Sequence, residues 1–223
     1  MAWALFILAV IAAVVNWVAV ELEWRWIKYI SKPLVILALI AWLRLLAAWN
    51  GPLAWFGLAL SFSLAGDILL LLPARFFLPG LGAFLLGHIA YLVGLNLTLP
   101  PTNLASLVLL AAGVLLVALI YPKIRAGLLT KPGGKVLNTA VFFYSMVLTA
   151  MLLSTMLTLF RLNWNRTAAL VVAAGGMLFF VSDILLGFDR FVRPVRHWRL
   201  LVMVTYHLAQ IALTSGALLQ FGG

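Results

Sequence analysis

Two aspartates buried in apolar runs are the residues of this chain best suited to chemistry. Asp67 stands in "LAGDILLLLP" (64–73) and Asp183 in "VSDILLGFDRF" (181–191). An acid inside a bilayer-spanning segment costs at least ~2.5 kcal/mol, so it faces a bundle interior and marks a working site. One such acid could be spent on bonding a neighbouring helix or an interfacial arginine. Two at matched depth ask for more, and each is expected roughly 6–8 Å from the same end of its helix at 1.5 Å per residue. Two carboxylates close together in a poorly hydrated cavity titrate apart, leaving one protonated and one ionised at neutral pH. That division of labour serves cleavage through an oxocarbenium-like cation. The other acids, Glu21, Glu23 and Asp189, fall among basic residues near predicted loops, where a solvated surface role suffices.

Polar residues on later segments could complete such a site. His88 and Tyr91 are three apart and Tyr206 and Gln210 four apart, so each pair shares a helix face. Both pairs are open to two readings: interhelical hydrogen bonds worth ~0.6 kcal/mol each, or orientation of water and substrate. Tyr144, in the middle of the sixth segment, is read in the same two ways. Lys32 and Lys135 are expected at helix starts, where a lysine either snorkels to the interface or holds a phosphate headgroup; Asn138 follows one turn deeper. With no cysteine, three histidines and five acids, thiolate chemistry is excluded and a metal site is poorly supplied, so no metal or cofactor is expected.

The elements that position these residues follow from composition. The 223 residues are 66% hydrophobic and 9% charged, whereas a soluble domain is about half apolar and a quarter charged. Apolar segments long enough to span a bilayer occur at about 3–20, 31–48, 53–72, 78–98, 104–121, 135–158, 166–187 and 198–219. They run continuously apolar rather than alternating, which predicts helices and not a barrel. The fold class is therefore all-α, a polytopic bundle of about eight transmembrane helices forming one domain over 1–223. Pro33 reads as a first-turn residue, while Asn50-Gly51-Pro52, Pro73, Pro79, Pro100-Pro101, Pro122 and Lys131-Pro132-Gly133-Gly134 read as loops. The first run starts at Trp3 with no basic stretch before it, so no cleavable leader is expected.

Twelve of the fifteen lysines and arginines fall in the connections after segments 1, 3, 5 and 7. The bias predicts that these loops, and the aspartate pair near them, face the cytoplasm with both termini outside. The net charge of +10 is thereby read as topology and contact with anionic lipid, not nucleic acid. A weak internal repeat also shows: "GDILLLLPARFF" (66–77) is echoed by "SDILLGFDRFV" (182–192), each followed by a helix with a polar cluster. Segments 3–4 thus mirror 7–8, and duplicated halves place sites at their shared interface.

"SKPL", "FSLAGDILLLLP" with "FFLPGLGAFLLGHIAYL", "GGMLFFVSDILLGFDRF" and "TYHLAQIAL" together resemble the YhhN/TMEM86 membrane family across nearly the whole chain. The resemblance implies a lysoplasmalogenase, which hydrolyses the vinyl ether of 1-alkenyl-glycero-3-phosphocholine or -phosphoethanolamine to a fatty aldehyde and a glycerophosphodiester. It implies Asp67 and Asp183 as the catalytic pair, with Lys32, His88, Tyr91, Tyr206 and Gln210 at the family's polar positions. Protonation of the β-carbon by one carboxylic acid, with the second carboxylate steadying the cation and activating water, needs no metal. The implied partners are a lysophospholipid substrate and membrane lipids, and the expected location is a bacterial inner membrane. An intramembrane aspartyl protease would need GxGD and a downstream PAL; position 64 is Leu and no PAL occurs. A proton-coupled transporter using the same aspartates is the alternative, although neither half shows a Pro- or Gly-broken helix at mid-membrane.

Overall fold

The computed structural model describes residues 2–47, 49–131 and 133–222. Eight helices follow one another: α1 (Ala2–Glu21), α2 (Arg25–Leu46), α3 (Gly51–Leu71), α4 (Phe77–Leu95), α5 (Leu104–Leu129), α6 (Gly134–Leu157), α7 (Arg166–Phe191) and α8 (Trp198–Phe221). Single 3₁₀ turns, Ala74–Phe76 and Thr158–Phe160, precede α4 and follow α6. Among the described residues there is no strand, and eight helical spans are long and apolar enough to cross a bilayer. Their outward residues, such as Ile11, Leu107, Val114 and Leu170, are largely exposed. A surface so apolar belongs in lipid rather than water, and the molecule is a polytopic membrane helix bundle.

Helix ends are set by local chemistry. Asn103 accepts from the Ser106 amide and Ser106 answers it, a capping box opening α5. The Asn165 side chain accepts from the amides of Thr167 and Ala168 to open α7. At the same end of the bundle the buried Arg161 donates to the Leu95 carbonyl (2.8 Å) and to Asn96 Oδ1 (2.7 Å). It thereby ties the end of α4, whose last carbonyls lack helical partners, to the segment after α6.

Three expected boundaries move. α2 begins at Arg25 rather than 31, so Pro33 lies inside the helix and not in its first turn. α5 runs through Pro122 to Leu129, and α7 continues to Phe191. A helical proline gives up one backbone hydrogen bond, but long apolar helices supported by neighbours tolerate that loss. Pro52 and Pro79 open α3 and α4, where the missing amide would have had no partner anyway. Pro132 lies outside the described residues. The longer α7 also changes the depth argument: Asp67 is four residues before the end of α3 (71 − 67), whereas Asp183 is eight before the end of α7 (191 − 183).

The most extensive packing is α7 on α8, α3 on α4 and α1 on α2, with α8 also touching α1, α2 and α3. The α7–α8 contact depends on small residues: a Cβ on Gly216 would stand 2.5 Å from Val172 Cγ2. This is how membrane helices gain van der Waals contact without a hydrophobic drive. Polar bonds anchor α1 as well. Asn16 donates to Ser31 Oγ on α2 (2.9 Å), and Trp17 Nε1 donates to His207 Nδ1 on α8 (3.1 Å).

Candidate active site

Asp67 and Asp183 line one cavity of about 560 Å³. It enters the bundle from the end that carries the α1–α2 and α7–α8 connections, where Arg25, Lys28, Arg190 and Arg199 ring its mouth, with Glu23 3.7 Å from Arg199 as the one acid among them. Deeper walls come from Asn16, Lys32, Phe84, Tyr144 and Tyr206. The cavity is thus cationic at its opening and carboxylate-bearing within.

The two carboxylates are held differently. Asp67 is fully buried, with Lys32 Nζ 3.0 Å from Oδ1 and the Tyr206 hydroxyl donating to Oδ2 at 2.8 Å. The lysine approach is an ion pair by distance but not a directed hydrogen bond, because Oδ1 has no donor in hydrogen-bonding geometry. At Asp183 both contacts converge on Oδ2: the Tyr144 hydroxyl donates to it at 2.5 Å and His88 Nε2 lies 3.1 Å away. His88 Nε2 is also 3.0 Å from the Tyr144 hydroxyl, closing a triangle. In the tautomer that serves Asp183, Nε2 donates and Nδ1 is bare, in keeping with Nδ1 having no partner. The Asp183 side chain stays 13% exposed, which leaves its second oxygen toward the cavity.

A pattern runs through these contacts. Each aspartate takes one partner from the helix before it, Lys32 of α2 for Asp67 and Tyr144 of α6 for Asp183. Each takes the other from a helix of the opposite half, Tyr206 of α8 and His88 of α4. The α3–α4 and α7–α8 units are therefore crossed, each completing the other's carboxylate.

The remaining expected site residues separate. Tyr91 donates to Gln210 Oε1 in a fully buried α4–α8 link behind the cavity wall. Lys135 is exposed at the start of α6, and Asn138 accepts a hydrogen bond from Tyr121 at 2.8 Å; neither lines the cavity. Lys32 is buried and paired with Asp67, which corrects its expected placement at a helix start. The longer α2 is the reason: Lys32 stands two turns inside it. Sequence reasoning passed over Asn16 and Phe84, and it gave the phosphate to the basic residues of this end as a group without singling out Arg190 and Arg199. Asn16 carried a readable signal, a lone amide in the apolar run of α1. Among the described residues no three His, Asp or Glu side chains converge to hold a metal.

A membrane helix bundle with paired intramembrane carboxylates beneath a basic mouth is the class that fold and site define. The family model of the YhhN family matches residues 27–217, and the chain belongs to that family. It is 33% identical over 189 residues to the protein named lysoplasmalogenase TMEM86B of Sus scrofa, covering 85% of this chain and 74% of that one. Against lysoplasmalogenase TMEM86B of Homo sapiens the identity is 30% over 199 residues, 89% and 78% of the two chains. The uncharacterized membrane protein YhhN of Escherichia coli O157:H7 is 35% identical over 119 residues, 49% of this chain and 55% of that protein. No solved structure matches the chain significantly.

Proposed function

We propose that this protein is a lysoplasmalogenase, hydrolysing the vinyl ether of 1-alkenyl lysophospholipids to a fatty aldehyde and a glycerophosphodiester. The observation that carries the reading is the pair of carboxylates sharing one basic-mouthed cavity, in a chain whose relatives bear that name. Asp183 is the acid: its unbonded oxygen reaches the cavity and delivers a proton to the β-carbon of the alkenyl chain. Asp67 is the carboxylate that faces the resulting oxocarbenium ion and takes a proton from the attacking water. The hemiacetal so formed collapses to aldehyde and the glycerol hydroxyl, with one water consumed overall. Lys32 and Tyr206 position Asp67, as His88 and Tyr144 position Asp183. Arg25, Lys28, Arg190 and Arg199 hold the phosphate.

The same reading treats 1–223 as one domain in a bacterial inner membrane, with the basic end and the aspartates toward the cytoplasm. Because the chain has no cysteine, single cysteines placed in the α7–α8 connection would report that orientation through impermeant maleimide. The activity is tested with protein purified in detergent, given 1-alkenyl and 1-acyl lysophospholipids, with free aldehyde measured. Aldehyde is expected from the alkenyl substrate alone and is lost in both Asp67→Asn and Asp183→Asn. No aldehyde from the wild type, or undiminished release from both variants, refutes the mechanism.

A further inference from the structure

Beside the polar cavity lies a second, apolar cleft between α5, α6 and α7. Leu116, Val117 and Ile120 of α5 face Leu148 of α6 and Phe180 and Ile184 of α7 across it. Four hydroxyls also border it, but Tyr121 donates to Asn138 Oδ1, Tyr144 to Asp183, Ser145 to the Val141 carbonyl and Thr149 to the Ser145 carbonyl. All four donors are spent, so away from Asp183 the cleft offers no free donor to a polar ligand. Asp183 and Tyr144 border both spaces, making the cleft an apolar continuation of the reactive cavity.

The cover of this cleft is α5, the least buried of the spans. It is pinned at two glycines. A Cβ on Gly127 would stand 1.5 Å from the Phe191 carbonyl oxygen, and one on Gly113 would stand 3.0 Å from Leu153 Cδ1. Between these pins only Ile124 is fully buried, so the middle of α5 is held by little. Free space in the cleft is about 80 Å³, room for a few methylenes, so a whole chain is admitted only as α5 moves off α6. Parting α5 from α6 would open it directly to the bilayer.

We propose that this cleft binds the hydrocarbon chain of a single-chain lysolipid, which enters sideways from the membrane past the middle of α5. The 1-position then lies at Asp183 and the headgroup in the basic mouth, and the fatty product leaves by the same lateral route. Beyond Tyr144 the lining on α6 runs to Thr149, five residues along (149 − 144), or roughly 7–8 Å at 1.5 Å per residue, and the Gly113–Leu153 contact lies just past it. The cleft therefore measures chain length. The identity of the chain as an alkenyl group rests on the hydrolase reading; its place in the molecule does not.

The test has two arms. A saturated 1-O-alkyl lysophosphatidylcholine with a diazirine at its chain end, which has no vinyl ether to cleave, is photolysed with the wild-type protein. Labelling of α5 and α6 peptides that contain Leu116, Val117 or Leu148, competed by unlabelled lysolipid, is expected. Competed labelling only on other helices, or no competed labelling, overturns the proposal. In the second arm Leu148→Trp fills the part of the cleft beyond Tyr144. Aldehyde release from a hexadecenyl substrate should fall about tenfold more than release from an octenyl substrate, as loss of a few buried methylenes would give. Equal loss for both chains, or none for either, overturns it. A wild type that releases no aldehyde but labels as expected would refute the hydrolase and leave the chain site standing.

Discussion

Lys32 shows how much a single side chain can decide at this site. Its ammonium is the cation beside a fully buried Asp67, and breaking a buried pair from one side strands the other charge at a cost of about 3–5 kcal/mol. Lys32→Met should accordingly lower the thermal unfolding temperature in detergent. Adding Asp67→Asn to that variant should restore most of the stability, since the stranded charge is gone, while aldehyde release stays absent. Equal stability in Lys32→Met and wild type would show that the pair carries no such role. The sequence pointed to Asp67 and Asp183 directly, because an acid among leucines has few structural excuses. It could not point to the partner of Lys32. A lysine before a proline looks the same whether it opens a helix or lies two turns within one, and only the course of α2 from Arg25 separates the two. Lys135 illustrates the converse, the same residue type at a true helix start and exposed.

At the scale of elements the site depends on how closely α3 and α4 approach. A Cβ on Gly66, the residue before Asp67, would lie 2.6 Å from Phe84 Cδ2. Phe84 in turn packs edge-on against the Tyr206 ring, with centroids 5.8 Å apart, and Tyr206 bonds Asp67. Gly66→Ala should push Phe84 into that chain of contacts at a cost of about 1–3 kcal/mol of overpacking. It should also slow aldehyde release. Gly66→Ala/Phe84→Leu should recover part of both, and a single variant with wild-type melting and rate would contradict the argument. Helix number and type were readable from continuous apolar runs, since lipid demands them. Helix ends were less so: prolines that stop helices in water are carried inside α2 and α5, where the surrounding apolar stretch outweighs one lost hydrogen bond.

Over the whole molecule the charges sort by end. Most of the basic residues gather at the mouth end, and five of them, Arg25, Lys28, Lys32, Arg190 and Arg199, line the cavity itself. The charge bias was legible as topology, but that it also rings a cavity depends on tertiary placement. Arg190→Gln/Arg199→Gln should raise KM for the lysolipid about tenfold with kcat little changed, the scale of one lost charge-assisted hydrogen bond. Added salt should raise the KM of the wild type more than that of the variant. A fall in kcat at constant KM would instead place these arginines in the chemistry.

The crossed holding of the two aspartates bears on how the chain can be divided. Residues 1–99 contain Asp67 and Lys32 but lack Tyr206, and 100–223 contain Asp183 and Tyr144 but lack His88. Neither piece owns an aspartate with both of its partners, so on the proposed mechanism each alone should be silent. Expressed as two separate chains in one membrane, they should find each other and regain aldehyde release, because each carries the polar partner that the other's aspartate lacks and that is buried only when the halves meet. The enzyme would then behave as a heterodimer fused by the α4–α5 loop, and a damaging change in either half would be felt at the carboxylate of both.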